Sequence, residues 1–298
     1  RNIAVLVDGV PVNDLESGQV YWSNWAGLSE ILKLTQIQRG LGASKLAVAS
    51  VGGTMNMITK GIESKSMISV KQDFGSNNLL RTSLGYNSGQ LKGGWGITVA
   101  GSRTVGDGFA NETWDEAYSY FMKLQKQLGN HLLSASVTGA PQKHGQRSNK
   151  LNTAIYDKDY AKDIGINADS VIANSIYDSL GSRGIRYNDN WGPLDRYVLE
   201  NNDTIHQNEN LNYRVNHFHK PVYNLSDFWT INDKLTLSNV LYLSTGNGGG
   251  TGTKGSISVD GTTGQVNFQK IYNSNIKNID PVYSTTEHKS TNYIVDSH

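Results

Sequence analysis

The chain has 298 residues and a mass of 32.7 kDa, enough for one large domain or two ordinary ones. Its 27 Lys+Arg against 26 Asp+Glu leave a formal charge of +1, which argues against a general nucleic-acid binder because no global electrostatic footprint exists. With no Cys, a disulfide framework, a thiolate zinc site and a cysteine nucleophile are excluded as well. Only 18% of residues are charged, while 32 Gly and 30 Asn supply turn positions and 15 Tyr and 6 Trp favour strands, the composition of a β protein. The longest apolar run, Ile3 to Val7, is far short of the roughly 18 residues of a membrane helix. A start at Arg1 and an end at NYIVDSH without a turn signal read as a piece of a longer chain.

In chain order, residues 1 to 60 predict a small mixed α/β unit. Ile3–Val7 is a buried strand closed by the turn Asp8-Gly9, followed by a polar, aromatic loop from Asn13 to Trp25. A short helical stretch near Ser29 to Leu32, a strand at Gln36 to Arg39 broken by Gly40 and Gly42, a helical turn at Ala43 to Leu46, and a strand at Thr54 to Thr59 opened by Gly52-Gly53 complete it.

From about Ser66 the pattern becomes a two-residue alternation, which places every second side chain on one face of a sheet. Ile68, Val70 and Phe74 oppose Ser69, Lys71 and Asp73. Leu80, Leu84 and Tyr86 oppose Arg81, Ser83 and Gly85, and Trp95, Ile97 and Val99 oppose Thr98 and Ser102. Tyr118, Tyr120, Met122 and Leu124 oppose Ser119, Lys123, Gln125 and Gln127, and Leu133, Ala135 and Val137 oppose Ser134, Ser136 and Thr138. Two further strands, Pro221 to Ile231 and Leu235 to Ser244, are mixed in polarity. Asp227 falls on the face of Tyr223, Leu225 and Trp229, a costly place for a carboxylate if that face meets lipid.

After the first hairpin, short and long connections alternate: tight at Asn87 to Gln90, about thirteen residues from Thr104 to Glu116, tight at Gly129-Asn130, over seventy residues from Pro141, tight at Asn232-Asp233, and about forty from Thr245. In an antiparallel meander this puts tight turns on one rim and long loops on the other, a sorting that a transmembrane barrel has and a sandwich has no reason to have. Tyr86, Trp95, Trp114 and Tyr118 then suit a membrane-interface belt. Within the longest loop, Leu151 to Lys162 and Ala173 to Leu180 have helical spacing.

Motifs for chemistry are weak. Gly250 to Gly255 fits GxGxxG, but an extended rather than helical sequence follows, which predicts a loop tip and not a phosphate cradle. His217 and His219 lack a third ligand at compatible spacing. No nucleophile elbow, zincin motif or EF-hand occurs. No catalytic residue, metal ligand or cofactor is assigned, and the chain is expected not to be an enzyme.

The stretch VLVDGVPVND followed by QIQRGLGASKLAVASVGGTMNMITKG resembles the C-terminal half of the plug domain of TonB-dependent outer-membrane receptors. Asp8-Gly9-Val10, Arg39-Gly40, Gly52-Gly53 and Asn56-Met57-Ile58-Thr59-Lys60 stand in that family's order and spacing. The resemblance covers about sixty residues. It implies a membrane all-β fold: the end of an α/β plug (residues 1–62), then the first seven to eight strands (63–298) of an antiparallel barrel of roughly 22 strands, with long external loops near 141–215 and 245–285. About two thirds of the barrel, and the plug segment that contacts the energy-coupling protein, would lie outside this chain.

The function so implied is active import of a scarce nutrient across the Gram-negative outer membrane, a ferric siderophore or similar iron complex first, with cobalamin, haem or an oligosaccharide as alternatives. A passive barrel or surface adhesin is the rival from another class. The partners implied are a TonB-type energy-transducing complex, outer-membrane lipid and a small nutrient ligand, and no nucleic acid. The plug-apex residues that would meet the ligand are Asn13, Glu16, Ser17, Gln19, Tyr21 and Trp22, with Trp25 packing against the wall. Asp8, Gly9, Arg39, Gly40, Gly52 and Gly53 have structural roles, Arg39 pairing with wall carboxylates. Lys71 and Asp73 are expected at the interface between plug and wall.

Overall fold

The computed structural model describes residues 3–40, 51–167, 182–200, 203–277 and 293–297. The helical turns expected at 43–46 and 173–180 lie outside the described residues. The chain divides into two compact units: residues 1–105, 116–142 and 218–247 form the first, and residues 106–115, 143–217 and 248–298 the second.

The first unit opens with a four-stranded sheet. Strands β1 (Ile3–Val7), β2 (Val10–Pro11), β3 (Leu32–Arg39) and β4 (Gly53–Thr59) lie in the order β2-β1-β4-β3, with β1 parallel to β4 and the other pairs antiparallel. β1 is buried along Ala4 to Val7, as a continuous apolar run requires. Asp8 (φ +47°) and Gly9 (φ +81°) occupy the two left-handed positions of the turn that pairs Val7 with Val10, the geometry favoured between twisted strands. A one-turn helix, α1 (Leu28–Ile31), buries Leu28 and Ile31 against this sheet.

A seven-strand antiparallel meander follows in the same unit. β5 (Met67–Phe74), β6 (Leu80–Asn87), β7 (Trp95–Asp107), β8 (Trp114–Leu128) and β9 (His131–Gly139) are paired in sequence, then Val222–Asn232 pairs with β9 and Leu235–Ser244 pairs with Val222–Asn232. The connection expected to take thirteen residues takes six, 108–113, because β7 and β8 extend further than their alternation does.

The two faces of this meander are inverted relative to a soluble sheet. Apolar side chains are exposed on one face, among them Ile68 at 76%, Phe74 at 80% and Leu241 at 69%. The polar residues Ser83, Asn87, Thr98, Lys123, Gln125 and Asn224 are buried. Several of them meet the four-stranded sheet and the connector behind it. Gln125 Oε1 accepts the Ile62 amide (2.7 Å), and the Gly61 carbonyl accepts Asn87 Nδ2 (2.7 Å) and Thr98 Oγ1 (3.4 Å). Phe121 breaks the polar run of its strand face and joins Val5, Val7, Val12, Leu28, Ile31 and Met57 in one apolar cluster.

The second unit is built from what the sequence reads as long loops, and they are structured. The hairpin Trp191–Glu200 and Asp203–Asn212 carries the helix Phe268–Lys277 on a core of Leu194, Tyr213, Val266 and Phe268. The helical spacing near 151–162 corresponds to two short helices, Thr153–Tyr156 and Lys158–Asp163, capped by Asn152 and Asp157 side chains. The GxGxxG stretch is not a loop tip: Asn247–Lys254 is a strand, which pairs with Tyr293–Ser297. Among the described residues no helix is long and apolar enough to cross a membrane.

Candidate functional site

The loop between β2 and α1 is shaped by two short polar side chains. Asn13 Oδ1 accepts the Val5 amide (2.7 Å), while its Nδ2 donates to the carbonyls of Ile3 (3.0 Å) and Gly18 (3.1 Å), fastening the loop base to β1. Asp14 Oδ1 accepts the amides of Glu16 and Ser17 and the Ser17 hydroxyl. Those Ser17 hydrogen bonds hold the Asp14 carboxyl below its ordinary 3.8. The Asp14 amide also donates to the Gln19 carbonyl (2.8 Å), closing a compact turn.

This bracing leaves Leu15, Glu16, Gln19, Tyr21 and Trp22 exposed, with Tyr21 at 52% and Trp22 at 53%. Of the six expected apex residues, Glu16, Gln19, Tyr21 and Trp22 therefore present free surface together. Asn13 and Ser17 are half-buried and spend their side chains on the loop itself. Trp25, at the end of the 3₁₀ turn Trp22–Trp25, packs on the apolar cluster.

Below the loop, Asp8 is the centre of a buried polar junction. Its carboxylate accepts the Thr59 amide (2.9 Å), the Thr59 hydroxyl and Lys123 Nζ (2.9 Å), and Lys123 also donates to Thr59 Oγ1 (2.7 Å). Lys123 and Asp8 side chains are only 8% and 14% exposed. In such a setting the ion pair is held by its additional hydrogen bonds, and loss of one partner strands a charge. Gly9 faces Val240 of the meander, 3.3 Å from where a Cβ would stand.

A second charged contact joins α1 to the meander. Glu30 pairs with Arg81, and Lys71 Nζ stands 4.0 Å from Glu30 and 2.9 Å from Asp73. Lys71 thus reaches the helix, while Asp73 pairs with Lys71 along its own strand; Glu30 and Arg81 escaped sequence reasoning. Arg39 stands apart from these contacts. It is exposed at the end of β3 and makes no ion pair with a carboxylate among the described residues. In both contacts acids of the small sheet and helix, Asp8 and Glu30, meet bases of the meander, Lys123, Arg81 and Lys71.

The glycines of the motif serve backbone geometry. Gly40 has φ +71°, and Gly53 has φ +121° with a Cβ that would fall 2.3 Å from the Gln38 carbonyl oxygen, while Gly52 is exposed beside it. Gly27 lies so near the meander that a Cβ would fall 2.1 Å from Ser119 Oγ. His219, one of two histidines weighed as metal ligands, hydrogen-bonds Tyr120 Oη at 2.9 Å.

No protein-family model and no curated protein matches the chain. Solved structures do. The closed form of the ferric-catecholate import receptor Fiu from E. coli K12 matches with a TM-score of 0.56 and 16% identity, over 84% of this chain and 30% of that one. The siderophore receptor PiuA from Acinetobacter baumannii matches at 0.52 and 12%, over 83% and 29%. The ferric yersiniabactin uptake receptor FyuA from Yersinia pestis matches at 0.52 and 14%, over 86% and 34%. The chain thus spans about a third of the length of these receptors. The fold is that of a fragment of a TonB-dependent receptor β-barrel.

Proposed function

We propose that this chain is the C-terminal part of the plug, residues 1–62, and the opening strands, from residue 63, of an outer-membrane receptor that imports a ferric siderophore or similar iron complex with energy from a TonB-type complex. The observation that carries this reading is the inverted sheet: apolar side chains exposed on one face, and buried Lys123 and Gln125 turned to the small sheet on the other. A wall that meets lipid outside and a polar plug inside has this distribution. That receptors of the same fold bind siderophores and ferric complexes supports this choice of cargo.

In this reading the braced loop carries Glu16, Gln19, Tyr21 and Trp22 to the incoming ligand, and aromatic rings with neighbouring polar groups suit an organic chelate. Asn13 and Ser17 act by holding the loop in shape. The Asp8–Lys123–Thr59 junction fixes the plug against the wall, and any opening must break or bypass it. No covalent chemistry is involved.

The test uses the full-length chain in its native membranes. The protein is expected to sediment with outer membranes, to run differently on a gel when unheated, and to support growth on ferric catecholates under iron limitation. Recovery in the soluble fraction removes the barrel reading. Growth independent of every ferric chelate, with the barrel intact, moves the cargo to cobalamin, haem or a glycan.

A further inference from the structure

The apolar face of the meander carries a polar site that import does not use. Along one rung, Lys126 is registered with Leu133, Leu133 with Asp227, and Asp227 with Asn239. The next rung is Leu124, Ala135, Leu225 and Leu241. The small Ala135 between longer neighbours leaves a groove of about 630 Å³, lined among others by Trp95, Leu124, Lys126, Leu225 and Asp227. At its polar end Lys126 Nζ lies 4.6 Å from the Trp95 ring centroid and donates to the Gly93 carbonyl (2.6 Å). On the other side the Asp227 carboxylate stands 3.1 Å from His131 Nδ1, and the His131 ring stacks on Trp229 at 5.0 Å.

The two charges have opposite sign, yet they do not pair. Lys126 and Asp227 stand on strands two apart, about 9.5 Å between backbones, with Leu133 between them. A carboxylate on an otherwise apolar wall needs donors; His131 Nδ1 is one, and the remaining lone pairs of Asp227 can accept from a second, cationic one. The site lies at the rim of the tight turns 129–130 and 233–234, which in a barrel is the periplasmic rim. Tryptophans at that level suit the headgroup region.

We propose that this groove binds one phospholipid of the inner leaflet whose headgroup is zwitterionic and ends in a primary ammonium, as in phosphatidylethanolamine. The phosphate accepts from Lys126, the ammonium donates to Asp227, and one acyl chain lies over Ala135 between Leu124 and Leu225. A glycerol headgroup can offer Asp227 only neutral hydroxyl donors while adding net negative charge beside it, and a quaternary ammonium cannot donate. The proposal rests on the membrane-barrel reading above.

The experiment is native mass spectrometry of the full-length chain in mild detergent, with phosphatidylethanolamine, phosphatidylglycerol or phosphatidylcholine added in turn. Wild type is expected to retain one phosphatidylethanolamine, about fivefold over the other two. Asp227→Asn is expected to abolish that preference, and Lys126→Gln to weaken all phospholipids. A difference between heated and unheated gel mobility checks that each variant is folded. Equal retention of the three lipids by a folded wild type, or an unchanged preference in folded Asp227→Asn, overturns the proposal and leaves the barrel reading standing. A protein that is soluble without detergent overturns both.

Discussion

Asp8 and Lys123 are a buried pair whose members are not equally replaceable. Asp8→Ala leaves the Lys123 ammonium between Thr59 and an apolar cluster, and is expected to destabilise the seat of the small sheet on the meander by about 3–5 kcal/mol. Asp8→Asn combined with Lys123→Met removes both charges and is expected to cost less than Asp8→Ala alone. Denaturant titration in detergent, followed by tryptophan fluorescence, ranks the two. A larger loss in the double variant contradicts the stranded-charge account. At the loop, if the proposed import function holds, replacing Tyr21 and Trp22 together by Ala is expected to weaken binding of the ferric chelate by about tenfold. Both rings are half exposed, so stability is expected to stay within about 0.5 kcal/mol. The Asp14 turn is expected to respond to acid alone. Its carboxyl is lowered in the folded loop, so its contribution is fully present above the ordinary 3.8 and is lost as pH falls through the lowered value. Trp22 emission that changes between pH 7 and pH 5 contradicts this.

Elements differ in how far the sequence betrays them. The meander was legible because a period of two is strict when each face has one environment, as at Ile68, Val70 and Phe74 against Ser69, Lys71 and Asp73. The hairpin 191–212 was not, because Pro193 and the mixed polarity of LDRYVLE carry no clean alternation. Phe121 offered a signal that went unused: an apolar ring amid Ser119, Lys123 and Gln125 marks the place where a polar face meets a packed core. Glu30 and Arg81 offered none, since residues 51 apart show no spacing rule. At this scale the inverted faces are expected to tolerate opposite changes. Val70→Arg on the outer face is expected to cost about 2–4 kcal/mol if it sits near the bilayer midplane, and Ser69→Arg on the inner face much less. Refolding titrations into lipid vesicles compare them, and equal costs contradict the two-faced wall.

For the whole molecule, the connector at residues 61–62 has a mechanical consequence. Gln125, Asn87 and Thr98 hold it from three neighbouring strands, so the small sheet is moored at the end of β4. β1 runs parallel to β4, with Ile3 opposite Gly53 and Val7 opposite Met57. A load entering at Ile3 and resisted at Gly61 therefore pulls the two strands along their lengths in opposite directions. Their registered pairs bear that load as a set, in shear, and do not peel apart one at a time. β2, joined to β1 by two pairs, shares little of it. The stiffest path through the small sheet is thus the shortest line between its first strand and its mooring, and the loop bearing Tyr21 and Trp22 lies off that line.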